Sequence, residues 1–145
     1  MTIRQQGAAT KAEEGLPRTR TTKQLGDAAE TAALQHLQQH GLRLLQRNFR
    51  TPGRGGGEID LVMRDRDGTL VFVEVRRRRN DRHGGAAASV GPVKQRRLVF
   101  AARHYLARLP QWPPCRFDVV TVTAEPDRVW QVDWLPAAFD ASGYV

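Results

Sequence analysis

Residues 55–78 read GGGEIDLVMRDRDGTLVFVEVRRR, and the reading of this stretch decides the fold. Two apolar runs, 59–63 and 70–75, flank a polar turn that contains Asp67-Gly68. An Asp-Gly pair between two apolar runs predicts a β-hairpin. Each run carries one acid, Asp60 in the first and Glu74 in the second. Aspartate is depleted in strands and buried acids are rare, so both need a reason to be there.

Alternation along a strand supplies one. Glu58, Asp60 and Val62 share one face of the first run, and Phe72, Glu74 and Arg76 share one face of the second. Where these faces coincide, the two carboxylates meet and Arg76 joins them one pleat along. Two close, ionised carboxylates need a counter-charge, which a divalent cation such as Mg²⁺ or Mn²⁺ supplies. A divalent cation with a cationic side chain beside it suits hydrolysis of a phosphodiester. The same residues also suit the solvated outer face of a hairpin, so the rest of the chain has to decide.

With 145 residues the chain is long enough for one domain with a full core. Its single cysteine, Cys115, has no disulfide partner within the chain and fits a reducing compartment. A small, half-buried or buried hydrophobe is the expected role for it. No apolar run approaches the ~18 residues of a membrane span. The first residues show no apolar segment of a secretory signal, so a cytoplasmic protein without a membrane partner is expected. The formal net charge is +8, unevenly placed. Arg76, Arg77, Arg78, Arg79 and Arg82 follow the second acidic run with only Asp81 among them. Lys94, Arg96, Arg97, Arg103 and Arg108 come with no acid between them. Such a basic concentration beside a carboxylate pair points to nucleic acid held over a metal site. Arg77, Arg78, Arg79, Arg82, Lys94 and Arg97 are the residues expected to hold it. Solubility charge or a protein contact is the plainer account of the same residues.

Residues 1–21 mix small, polar and charged residues without a period and are expected to form a disordered arm. From 22 to 40 apolar residues recur at spacings of three and four, which predicts a helix stopped by Gly41. Glu30 lies on that helix, one residue off the apolar stripe. His36 and His40 are four apart, but no third metal ligand accompanies them and both are expected at the surface. A strand over 42–49 leads into the loop 51–57, which lacks the Gly-Lys-Ser/Thr ending of a nucleotide-binding loop. After the hairpin comes a polar loop over 80–89, then a helix from Gly91-Pro92 to about Leu109, ended by Pro110. Strands are expected at 117–122, where Asp118 is another acid beside an apolar run, and at 129–134. The fold class is therefore α/β: a mixed central sheet flanked by helices, in the order α-β-β-β-α-β-β. The domain spans 22–135, with 136–145 as a tail.

That order, with Asp60 and Glu74-Val75-Arg76 on adjacent strands and Glu30 on the leading helix, resembles the core of the PD-(D/E)xK, or restriction endonuclease-like, nucleases. More narrowly, the chain resembles the YraN family of bacterial proteins, which are similar to archaeal Holliday-junction resolvases. The resemblance is carried by Thr22-Lys23-Gln24, Gly26-Asp27-Ala28-Ala29-Glu30, Asn48, Gly57-Glu58-Ile59-Asp60-Leu61 and Val71-Phe72-Val73-Glu74-Val75-Arg76. Further along it is carried by Gly84-Gly85-Ala86-Ala87-Ala88-Ser89-Val90, Lys94-Gln95 and Cys115-Arg116-Phe117-Asp118-Val119-Val120.

The resemblance implies an endonuclease acting on DNA of unusual, branched shape. It makes Asp60 and Glu74 metal-binding carboxylates, with the Val75 carbonyl completing part of the shell and Glu30 as a further acid. The broad nuclease pattern has lysine where this chain has Arg76. A guanidinium is a poor proton acceptor, so Arg76 would hold the scissile phosphate rather than activate water. Lys94 is the second cationic candidate. Symmetric cutting of a junction would need a homodimer. Two rival readings remain open: a nucleic-acid-binding module without catalysis on the same fold, and a protein-binding adaptor. The salt dependence of binding separates the adaptor from the other two.

Overall fold

The first element begins at a reciprocal cap. Thr21 accepts the backbone N–H of Gln24 through its hydroxyl (3.0 Å), and the Gln24 side chain returns a bond to the Thr21 N–H (2.9 Å). This satisfies two of the donors that a helix start leaves without partners. In this computed structural model, which describes residues 21–53, 55–78, 90–124 and 130–142, helix α1 spans Thr22–Gln39. Strands β1 (Arg43–Arg50), β2 (Glu58–Arg64) and β3 (Leu70–Arg78) follow. Helix α2 (Pro92–Leu106) and strands β4 (Cys115–Thr123) and β5 (Gln131–Phe139) complete the order. The α/β expectation and its element order hold. The arm at 1–20 and the loop carrying Arg79, Arg82, His83 and 84–89 lie outside the described residues.

The strands form one mixed sheet in the order β1-β2-β3-β4-β5. Only β3 and β4 run parallel, in register from Leu70↔Cys115 to Arg78↔Thr123. Parallel neighbours need a crossover, and α2 supplies it. The hairpin turn between β2 and β3 closes with the Gly68 N–H on the Asp65 carbonyl (3.0 Å) and Gly68 at φ +93°. That left-handed value favours glycine.

Two helices cover the two faces of the sheet. Ala29, Ala33 and Leu37 of α1 pack with Leu61, Met63, Val71, Val73, Val120 and Val122. Leu98, Ala101, Ala102 and Tyr105 of α2 pack with Val62, Leu70, Phe72, Phe117 and Val119 on the other face. Strand β3 alternates cleanly between them, Leu70 and Phe72 toward α2, Val71 and Val73 toward α1. Glu74 continues the row toward α2.

Several boundaries differ from expectation. Strand β3 runs to Arg78 rather than stopping at Val75, because its parallel partner β4 continues beside it to Thr123. The last strand begins at Gln131 and runs through Pro136 to Phe139 instead of ending at Trp134. Its ladder with β4 is irregular between Phe117 and Val119, and Ala137 sits at φ +50°. The Asp118 carboxylate accepts the Ala137 N–H (2.9 Å) and so carries the strand past its proline. Helix α2 ends at Leu106, three residues before Leu109, which is held by a bond from its N–H to the Leu106 carbonyl (2.9 Å). Cys115 is exposed at the start of β4, not buried.

Candidate functional site

The β2–β3 ladder runs from Arg64↔Leu70 only to Leu61↔Val73. Beyond that point β2 continues to pair with β1 as far as Arg50↔Glu58, and β3 with β4 as far as Arg78↔Thr123. The two strands therefore fork, and the next residue on each arm is an acid: Asp60 and Glu74. One Asp60 oxygen takes the backbone N–H of Val75 (2.8 Å), a donor that the ended ladder no longer uses. A strand residue turns its N–H and C=O to the same side. The Val75 carbonyl therefore faces the fork as well.

Glu74 is 5 % exposed, and its Oε2 lies 3.4 Å from Lys94 Nζ on α2 and 3.6 Å from an Arg76 nitrogen. Burial raises its pKa, against the pull of Lys94 and then Arg76, with a hydrogen bond to Asp60 as a smaller influence that also lowers it. Burial pushes Asp60 up to about 8, reinforced by the charge of Glu74 and opposed by the Val75 N–H. Two carboxyls held this way share charge poorly without a cation between them. Asp60 also feels Glu30 and Glu58. The fork is thus the place where acids from β2, β3 and α1 come within electrostatic reach of one another.

Glu30 is not free to approach. It faces Arg47 of β1 at 3.5 Å and accepts a hydrogen bond from Asn48. Burial raises its pKa, while Arg47 lowers it. Asn48 lies between the pairs Arg47↔Leu61 and Phe49↔Ile59, which places it across from Asp60. Its φ of +53° is left-handed, a conformation asparagine adopts more readily than most residues. Arg47 and Asn48 were given no role by the sequence reading. The signal for Asn48 was only its place in the family resemblance, and for Arg47 there was none.

A second residue without a sequence signal is Thr121. It is in register with Arg76, and its buried hydroxyl has no hydrogen-bond partner among the described residues. A water or a phosphate oxygen held by Arg76 would satisfy it. Among the described residues no three His, Cys, Asp or Glu side chains gather as a ready-made metal cage. Two carboxylates and a carbonyl nonetheless fit Mg²⁺ or Mn²⁺, hard cations that keep several waters when bound by one or two acids. The donor set would not suit a soft metal.

The basic residues divide. Arg76 and Arg78 share a face of β3, and Arg77 points to the other. Lys94 and Arg97 line a hollow of about 410 Å³ between the first turns of α2 and the loop 51–57, beside Arg50 and Glu58. That loop presses on the helix: a Cβ on Gly57 would collide with the Arg97 carbonyl oxygen, and the Gly57 N–H is held by the Thr51 hydroxyl (2.9 Å). Gly56 and Gly57 serve close packing, while Gly53 and Gly55, in open space, hold left-handed turns at φ +86° and +69°. The His36 and His40 rings lie tilted to each other with centroids 4.6 Å apart, and both meet Trp134 edge-on, a surface cluster rather than part of the fork.

Fold and site together define a mixed α/β domain with a buried acid pair at a strand fork, flanked by cations from β3 and α2. Residues 29–122 match the model of Uncharacterised protein family UPF0102, and the chain belongs to this family, the YraN family of the sequence reading. A UPF0102 protein of Albidiferax ferrireducens is 68 % identical over 83 % of this chain and 91 % of its own length. One from Paracidovorax citrulli is 65 % identical over 88 % of this chain and 90 % of its own. Another, from Acidovorax sp. JS42, is 57 % identical over 94 % and 99 %. No described helix is long and apolar enough to cross a membrane.

Proposed function

We propose that the protein is a metal-dependent endonuclease that hydrolyses phosphodiester bonds in DNA, with the strand fork as its active site. The observation that carries this is the buried Asp60–Glu74 pair with Lys94 and Arg76 both directed at Glu74. Burying two mutually repelling acids costs stability, and a fold keeps such an arrangement where chemistry needs it. The resemblance to PD-(D/E)xK nucleases, with Asp60 and Glu74 at the positions of its acids and Arg76 in place of its lysine, supports the reading.

Asp60, Glu74 and the Val75 carbonyl would hold Mg²⁺ or Mn²⁺. Such a cation, when bound, supplies positive charge for the phosphoryl oxygens and makes water more acidic. Arg76 and Lys94 both stand beside Glu74 Oε2 and would bind phosphate oxygens as negative charge develops. Thr121 offers a hydroxyl beside Arg76. Glu30 is held by Arg47 and Asn48, and it adds negative charge behind Asp60 without filling the fork.

A non-catalytic binding module is favoured by one observation. The acids are answered within the chain, Asp60 by Val75 and Glu74 by Lys94 and Arg76, and Glu30 is answered by Arg47.

Cleavage of a labelled panel of duplex, single strand, flap and four-way junction, with Mg²⁺ or Mn²⁺, separates the two. The wild type should cut at least one shape, and Asp60→Ala and Glu74→Ala should each lose on the order of 100-fold or more in rate. Cutting that persists in both variants comes from a contaminant. Binding without cutting by any protein supports the module instead.

A further inference from the structure

Helix α2 presents a second stripe opposite the one it buries. Val93 and Phe100 are exposed on it, 58 % and 46 %, and Trp112 in the loop after the helix is 58 % exposed. Arg96, Arg97 and Arg103 are exposed between them. Three open hollows adjoin along this side. The first is the one lined by Lys94 and Arg97; the second, about 370 Å³, shares Arg97 with it and adds Val93 and Phe100. The third, about 380 Å³, shares Phe100 and Arg103 with the second and ends at Trp112. Phe100 is backed by the His104 ring at 4.6 Å. The track thus starts at Lys94, which touches Glu74 of the acid pair, and leads away from it along α2.

Large exposed aromatics alternating with arginines meet two needs at once: apolar faces on which rings stack, and cations that follow a phosphate backbone. A duplex hides its base faces and would use the arginines alone. A second copy of this chain would set one arginine-rich face against another, which like-charge repulsion opposes. We infer that the outer face of α2, from Lys94 through Phe100 to Trp112, is a track for single-stranded nucleic acid whose bases stack on Phe100 and Trp112. The inference deepens the nuclease reading and rests on it for what lies at the Lys94 end. It names the substrate class as DNA with an unpaired strand, which enters the fork from the α2 side.

The test needs no cleavage. Binding of a fluorescent single strand of roughly 20 nucleotides, longer than the track needs, is measured by anisotropy in EDTA at low salt. The same sequence as a duplex runs beside it. Wild type should prefer the single strand. Trp112→Ala and Phe100→Ala should each weaken single-strand binding on the order of tenfold, leave duplex binding within about twofold, and keep the salt slope, because stacking releases no counterions. Trp112→Tyr should restore most of the loss. Both side chains are exposed, and unchanged circular dichroism confirms that the variants are folded.

Equal losses on duplex, no loss in the double variant that combines Phe100→Ala with Trp112→Ala, or no single-strand binding by wild type overturns the track. A double variant that changes sedimentation but not single-strand affinity makes the face a self-association or protein surface, and also overturns it. Single-strand binding as expected with no cutting anywhere in the panel removes the nuclease reading and leaves the track. Cutting lost in Asp60→Ala, with single-strand affinity unchanged in the α2 variants, does the reverse.

Discussion

Two buried acids in neighbouring strands of this sheet live in opposite circumstances. Asp118 on β4 is 1 % exposed and fully answered: Arg116 Nε (3.0 Å), Trp134 Nε1 (2.9 Å) and the Ala137 N–H (2.9 Å) all donate to it. Arg116 is itself tied to Asp65 at 3.0 Å. Glu74 on β3 is nearly as buried, yet its cations stand at 3.4 and 3.6 Å, and the charge of a second carboxyl, Asp60, interacts with its own. Burial of a carboxylate is tolerated when donors replace its water. Asp118 meets that condition and stitches β5 to the sheet. The pair at the fork meets it only in part, which the proposed metal site would explain.

The largest expected effect tests the scaffold side. Asp118→Ala removes the partner of a half-buried arginine, an indole N–H and a backbone N–H together. Breaking a buried, hydrogen-bonded charge pair costs about 3–5 kcal/mol. Urea denaturation should show a loss in that range, with β5 as the region that gains hydrogen exchange. A loss under about 1 kcal/mol would put Asp118 outside the scaffold.

At the fork the same kind of change should spare stability and remove activity. Glu74→Gln and Asp60→Asn should each cut the cleavage rate on the order of 100-fold, about 2.7 kcal/mol of barrier, with the unfolding midpoint unchanged or higher. The sign of the stability change depends on pH. The folded state holds the Asp60 proton more tightly than the unfolded chain does, because its pKa is raised from 3.8 to about 8. Stability from this group is therefore complete below about pH 3.8 and is lost as pH climbs toward 8. In EDTA, Asp60→Asn should gain on wild type between pH 5 and pH 8. Added Mg²⁺ should recover part of the loss in wild type at pH 8 and none in the variant. A wild type and variant that run parallel with pH would show that Asp60 is ionised without cost.

Much of this difference was hidden in the sequence. The hairpin was legible because Asp67-Gly68 sits between two apolar runs, and alternation put Asp60 and Glu74 within reach of each other. Alternation cannot say where a ladder ends, so the fork, with Val75 donating to Asp60, had no local signature. Asp118 read as an acid beside an apolar run, indistinguishable in pattern from Glu74. What separates them is the company each finds: Trp134 and Ala137 arrive from β5, a strand whose continuation past Pro136 is itself made by Asp118. The basic run after Glu74 was legible as charge but not as direction, since pleating sends Arg77 away from Arg76. Lys94 reaches Glu74 from α2; the sequence names it only as a second cationic candidate, and spacing alone could not show the contact.

Glu30 stands between the two kinds of acid, and Asn48 decides which it joins. Asn48 bonds Glu30, lies across from Asp60 and holds φ +53° in the middle of β1. Asn48→Gly keeps that backbone conformation available and deletes only the amide. Relief at a left-handed position and the added freedom of glycine in the unfolded chain are each worth about 1 kcal/mol and oppose one another. Stability should therefore move by less than about 1 kcal/mol. If Glu30 shapes the charge at the fork, the cleavage rate falls severalfold and its pH profile shifts, because an acid behind Asp60 has lost its alignment. If rate and profile are unchanged, Glu30 belongs with Asp118, an acid bound to Arg47 to hold α1 on β1, and the site consists of Asp60 and Glu74 with their two cations.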